Sequence, residues 1–178
     1  MKGIIKGWRK FLKGIKSWED GLKSLRSDQR VFVSHQRFRS FKNVKQFPSR
    51  AHSLKPSGLW YSCGSSWVSW LQSEIPGALD DENYLYEVKL GDGVLKISAS
   101  EDFDRFQSEF GITTKYGADL IDWERVAQMY SGIEICPLNW EKRNEMFWYN
   151  GWDAASGCIW NSSGVSGIVL LAEREDTE

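Results

Sequence analysis

The stretch NYLYEVKLGDGVLKISASEDFDRFQSEFG, Asn83 to Gly111, decides how the rest of the chain is read. NYLYEVKL and VLKISA are short runs rich in aromatic and branched residues, the composition of strands. The Gly91-Asp92-Gly93 between them is a turn of the kind that closes a β-hairpin. At Ser100 the pattern switches. A serine suited to cap a helix is followed by Glu101 and Asp102 in the first turn, and the run stops at Gly111. A local hairpin followed by a helix predicts an α+β fold.

The flanks extend that reading. Toward the C-terminus, LIDWERVAQMYSG predicts a helix closing at Gly132, and GIEICP a strand. PLNWEKRNEMFWYN reads as one helical turn and a loop, and GCIWN and GIVLLAE read as two last strands. Toward the N-terminus, VFVSHQRFRSF alternates and predicts a strand from Val31 to Arg39–Phe41. KNVKQFPSRAHSLKPSG is a loop and GLWYS a short strand. SSWVSWLQSEI, with a serine cap and Trp67, Trp70 and Leu71 at helical spacing, is a helix.

Residues 1–30 differ from the 31–178 domain. Ile4, Ile5, Trp8, Phe11, Leu12, Ile15, Trp18, Leu22 and Leu25 draw one apolar stripe on a helix. The segment carries nine Lys and Arg against three Asp and Glu, the remainder fourteen against twenty-one. The glycines at 3, 7, 14 and 21 each weaken a helix by about 1 kcal/mol, so it needs a surface. That surface is a membrane or protein partner, a nucleic acid, or the acidic body of the chain itself.

Composition narrows the classes. With 41% hydrophobic and 26% charged residues the chain is globular, and no run suits a transmembrane segment or a signal peptide. Cys63, Cys136 and Cys158 are an odd number without paired spacing, which predicts no disulfide framework and a reducing, cytoplasmic compartment. The two histidines, His35 and His52, lie near no cysteine pair, so no metal centre is expected. Glycine-rich phosphate loops and the Gly-x-Ser-x-Gly elbow are absent.

The ten tryptophans are the anomaly. WYNGWDAASGCIWNSSG, Trp148 to Gly164, sets three of them around one acid, Asp153, followed by the small residues of AASG. Either the indoles pack a core or they wall a cleft around Asp153, where a flat ligand would stack; the cleft is the expectation.

RFRSF, GLWYSCGSSW, MYSGIEI and YNGWDAASGCIW, in that order, resemble the ADP-ribosyltransferase fold family over roughly residues 31–172. GWDAASGCIW also resembles sequences from bacteria and phages. The resemblance implies a small split β-sandwich with flanking helices that takes NAD as substrate. Arg39 (or Arg37) would grip its phosphates, Ser62 would be the hydroxyl of the second strand, and Asp153 the acid that polarises the nicotinamide ribose. His52, Lys55, Trp60, Trp67, Trp152 and Ser156 would complete the contacts. Most of the family uses Glu, often in a Glu-x-Glu pair, whereas Asp153 stands without a second acid, which argues against arginine-directed protein modification. Some bacterial effectors of the family pair Arg with Asp in this way.

The chemistry suits these residues. Cleavage of the nicotinamide–ribose bond passes through an oxocarbenium-like state that a fixed carboxylate stabilises, and a guanidinium grips a pyrophosphate bidentately. Glu134, flanked by Ile133 and Ile135 on a strand, is the alternative acid, and Cys158 a further nucleophile candidate. ADP-ribose would pass to a protein or nucleic-acid acceptor or to water. The rival readings are a non-catalytic binding or inhibitor module, and a packaged phage structural protein, each docking a partner through the N-terminal helix.

Overall fold

The computed structural model describes residues 14–50, 53–115 and 117–174. Among them are an eight-stranded sheet, a two-stranded ribbon and five α-helices. In chain order the elements are β1 (Lys16–Ser17), α1 (Trp18–Lys23), β2 (Arg30–Ser34), β3 (Leu59–Cys63), α2 (Ser66–Glu74), β4 (Tyr84–Leu90) and β5 (Val94–Ile97). Then follow α3 (Ser100–Phe110), β6 (Gly111–Thr113), β7 (Asp119–Ile121), α4 (Trp123–Met129), β8 (Gly132–Ile135), α5 (Trp140–Glu145), β9 (Ser156–Ile159) and β10 (Val165–Glu173).

The expected hairpin does not form. The large sheet runs β1-β10-β4-β2-β3-β9-β8-β5, so β4 and β5 are five places apart. β4 pairs with β10 and β2, and β5 pairs in parallel with β8. The amides of Gly91 and Asp92 go instead to the carbonyls of Gly164 and Ser163, and Ser131 bonds back to Asp92 and Gly93. Gly93, at φ 75°, allows the turn without strain. In a flat sheet five spacings are about 24 Å. The four peptide steps from Leu90 to Val94 reach about 14 Å at most. The sheet therefore curls back on itself, and Val88 of β4 and Ile159 of β9 share one apolar cluster with Tyr61. All eight strands belong to one hydrogen-bonded sheet, where two facing sheets were expected.

Alternation along the strands sorts side chains onto two faces. One face carries two cores. Over β5, β8 and β9 lies an aromatic cluster in which Phe103, Phe106 and Phe110 of α3 and Trp123 of α4 meet Trp148, Trp152 and Trp160. Over β2, β4 and β10, Trp18 of α1 packs on Val31, Leu85 and Ala172, and Val68 and Leu71 of α2 pack beside it.

The N-terminal expectation is met only in part. Residues 1–13 lie outside the described residues. From Lys16 the chain is built into the domain: β1 lies parallel to β10, and Ser17 caps the short α1 by accepting the amide of Asp20. Trp18, Leu22 and Leu25 of the apolar stripe rest on the chain's own sheet. No helix among the described residues is long and apolar enough to cross a membrane.

The cysteine expectation is corrected. Cys63 and Cys136 form a disulfide, with Cα atoms 6.5 Å apart, within normal bridging range. The two are separated by 73 residues, so no spacing rule reveals them. With it falls the argument from unpaired cysteines to a reducing compartment.

Candidate functional site

The site arises where β2 and β3 part. Register joins them only at Arg30–Cys63 and Val31–Ser62. Beyond that point β2 stays with β4 as far as Ser34, and β3 stays with β9 back to Leu59. The wedge opens a cleft of about 360 Å³ between Val31, Phe32 and Val33 on one side and Trp60, Tyr61 and Ser62 on the other. Lys55, Trp67, Glu82, Asp153 and Ser156 complete its lining. Six expected residues thus meet in one place: Asp153, Ser62, Lys55, Trp60, Trp67 and Ser156.

Asp153 is held at the rim by two cations. Arg143 of α5 donates from Nη2 to Asp153 Oδ1 at 3.0 Å and from Nε to the Trp152 carbonyl at 2.5 Å. Its guanidinium also lies over the exposed Trp140 ring, 5.3 Å from the centroid. Lys55 Nζ stands 4.0 Å from Asp153 Oδ2 and over the rings of Trp60 and Trp152, at 5.3 and 5.6 Å. Burial lowers the pKa of Lys55; Asp153 opposes that shift and Arg143 adds to it. This ammonium is therefore short of water and suited to an anion.

The two serines are less free. Ser62 donates to the Gly64 carbonyl at 2.9 Å and accepts the Trp67 amide at 3.0 Å, capping α2 from outside the helix. Ser156 donates to the Ala154 carbonyl. Both hydroxyl protons are committed to backbone, so neither serine is poised as a nucleophile.

Several expected residues lie elsewhere. Arg37 and Arg39 are exposed in the segment after β2, and neither lines the cleft. β2 stops at Ser34, whose hydroxyl bonds the Gln36 carbonyl. The aromatic alternation that suggested a longer strand instead anchors a loop: Phe38 packs on Phe32 and Tyr86, and its amide donates to the Tyr86 hydroxyl. The cation beside Asp153 is Arg143, on the short helical turn expected in PLNWEKRNEMFWYN. His52 lies outside the described residues.

The three indoles set around Asp153 go to the core, where a cleft wall was expected. Trp148 and Trp152 are 0% exposed and Trp160 is 2% exposed. Trp148 donates to Gln107, and Trp160 to the Tyr130 carbonyl, while the Trp152 N–H meets no acceptor among the described residues. Trp152 supports the site from beneath, edge-on to Trp60, and Trp60 and Trp67 are the indoles that face the cleft.

Glu134 points to the opposite face, as its place between Ile133 and Ile135 requires. It accepts both Nε and Nη2 of Arg30, at 2.8 and 2.7 Å, and the Tyr61 hydroxyl at 3.0 Å. Burial raises its pKa, but the Arg30 bonds outweigh that and hold it below the usual carboxylate range. Cys63, Glu134 and Cys136 converge within 4.8 Å, but the sulfurs bond each other and Arg30 holds the carboxylate, so no ligand there is spare. Cys158 is buried and burial pushes its thiol well up, which makes it inert.

Glu82, just before β4, is the cleft residue that sequence reasoning missed. Its neighbour Asn83 bonds the Ser34 carbonyl, which sets Glu82 beside the open end of β2. An acid in a polar loop gives no sequence signal. No family model, no curated protein and no solved structure matches the chain.

Proposed function

We propose that the chain binds NAD in the cleft between β2 and β3 and breaks its nicotinamide–ribose bond, passing ADP-ribose to a macromolecule or to water. The observation that carries this reading is the convergence of Asp153, Lys55, Trp60 and Trp67 at the wedge. A fixed carboxylate beside the nicotinamide ribose would stabilise the oxocarbenium-like state as nicotinamide leaves with the bonding electrons. Lys55, with Arg143 behind Asp153, supplies the positive charge for the pyrophosphate that the family resemblance assigned to Arg39 (or Arg37). Trp60 and Trp67 offer faces on which a base or the nicotinamide ring can stack. The cleft volume lies within the range of small-molecule sites.

The test is incubation of the full chain with NAD labelled in the nicotinamide ring. Released nicotinamide, reduced about 100-fold or more in Asp153→Asn with NAD binding retained, supports the reading. No release, together with an Asp153→Ala variant that binds NAD as the parent does, overturns it.

A further inference from the structure

A third reactive group lies against the Cys63–Cys136 bridge. Tyr61 and Cys63 share one face of β3, and Glu134 and Cys136 share one face at the end of β8, because alternate residues point the same way. The strand between them, β9, sets Gly157 in register with both Tyr61 and Glu134. Gly157 has no side chain, so groups from β3 and β8 meet across it. The two sulfurs and a Glu134 carboxylate oxygen lie within 4.8 Å of one another. While the bridge is closed the sulfurs are committed to each other. A two-electron reduction opens it to two thiols and, on loss of their protons, to two thiolates.

Glu134 is oriented to join them. An ionised carboxylate offers about four acceptor sites. Arg30 fills two and the Tyr61 hydroxyl a third, and of these only Arg30 Nη2 reaches Oε1. A carboxylate held from behind by hydrogen bonds is the usual state of a metal ligand. Charge also balances. Two thiolates and one carboxylate carry three negative charges, a zinc ion brings two positive ones, and the Arg30 guanidinium, 2.7 Å from Oε1, brings the third. Zinc bonds of about 2.0–2.3 Å place tetrahedral donors about 3.3–3.8 Å apart, so the sulfurs must part. The Cα atoms, 6.5 Å apart, stand toward the wide end of the bridging range and leave them room. Both cysteines are half-buried, so a reductant and an ion can reach them.

We propose that reduction converts this bridge into a zinc site, with Cys63, Cys136 and Glu134 as ligands and a water in the fourth position. The reductant is a dithiol. Its thiolate attacks one bridge sulfur, the other sulfur leaves as a thiolate, and the second thiol of the reductant resolves the mixed disulfide. Two electrons pass to the chain, and the reductant departs as a disulfide. Zinc then displaces the remaining thiol protons. Soft thiolates with one hard oxygen suit zinc, and the set needs no histidine. β3 and β8 are thus tied by a covalent bond in oxidising surroundings and by a metal in reducing ones. The inference is independent of the NAD reading.

The experiment is titration of the full chain with zinc alone, oxidised and after reduction by a phosphine, which takes oxygen from water and leaves no competing thiol. Bound zinc is read by competition with a chromophoric chelator, and cobalt in its place reports sulfur ligation through the thiolate-to-metal charge-transfer band. The reduced parent is expected to take one equivalent at least about 100-fold more tightly than the oxidised chain, and to show the band with cobalt. Cys63→Ser and Cys136→Ser should each weaken zinc about 100-fold, and Glu134→Gln about 10-fold or more. Cys158→Ala, which removes the buried third thiol, should change neither the affinity nor the band. Equal zinc binding with the bridge open and closed, no binding after reduction, or a band unchanged in Cys63→Ser overturns the proposal. Binding by a folded Glu134→Gln protein as tight as the parent's overturns the three-ligand set. Should the reduced chain unfold without metal, return of the oxidised chain's circular dichroism on adding zinc supports the site, and no return overturns it.

Discussion

Arg143 carries more than its place in a short helix suggests. One guanidinium fixes the carbonyl of Trp152 and the carboxylate of Asp153, and so sets the backbone at the rim of the cleft. Arg143→Ala is expected to cost about 1–3 kcal/mol in urea denaturation, the range for losing charged hydrogen bonds at a half-buried site. Arg143→Lys should recover only a minor part, since an ammonium cannot make the two-point grip. Gly157 is decisive in another way. It sits between Tyr61 and Glu134 in the register, and a Cβ there would strike the Tyr61 ring. Gly157→Ala should therefore displace Tyr61 from Glu134 and cost about 1–3 kcal/mol, the usual range for overpacking, read from the shift in denaturation midpoint.

Ser62 is where local structure and candidate chemistry compete. It stands in the cleft, yet its hydroxyl bonds the Gly64 carbonyl, the Ser66 hydroxyl and the Trp67 amide, all at the entry to α2. Ser62→Ala is expected to cost about 1 kcal/mol of stability as a lost cap, while the proposed NAD cleavage stays within a few-fold of the parent. A turnover loss beyond 100-fold in a folded Ser62→Ala protein would instead make the hydroxyl part of the reaction. The same division between local and distant forces explains what was legible. Strand and helix identities over 59–74 and 84–110 follow from composition, and the structure has them, but the expected serine caps do not form: Ala99 precedes α3, where Asp102 accepts the Ser98 and Ala99 amides, and Ser62 rather than Ser65 or Ser66 accepts the Trp67 amide. Pairing does not follow. Gly91-Asp92-Gly93 looks like a hairpin turn because its glycines permit one, but its amides are satisfied by residues more than seventy positions away. Phe38 has the spacing of a strand residue and serves as a loop anchor. In the site, Asp153 and Lys55 were readable as polar residues among small or aromatic neighbours. Arg143 and Glu82 were not, because tertiary folding alone brings them to the rim.

Two long-range links hold the wedge from behind, on the face away from the cleft. One is the Cys63–Cys136 bridge, and the other is the Arg30–Glu134 pair with Tyr61. Reduction of the bridge should lower stability by about 2–4 kcal/mol, seen as a lower melting temperature with reductant that Cys63→Ser/Cys136→Ser reproduces without it. Glu134 predicts the acid limb. Its folded pKa lies below its unfolded value of about 4.3, so its contribution is complete above that pH and is lost as pH falls through the folded value. Glu134→Gln should be less stable at neutral pH, by about 3 kcal/mol for a broken buried pair, and should lose less further stability on acidification than the parent.

The bridge also divides the chain mechanically. It closes a ring from Cys63 to Cys136, and the two residues that face each other across the rim, Lys55 and Asp153, sit on the free arms outside it. A molecule pulled by its two ends can straighten only those arms. The oxidised chain should stop extending roughly 25 nm short of the reduced one. The arms that can be drawn out carry the ammonium and the carboxylate, so tension would part Lys55 from Asp153 and dismantle the cleft, whereas the ring cannot be drawn out while the bridge holds.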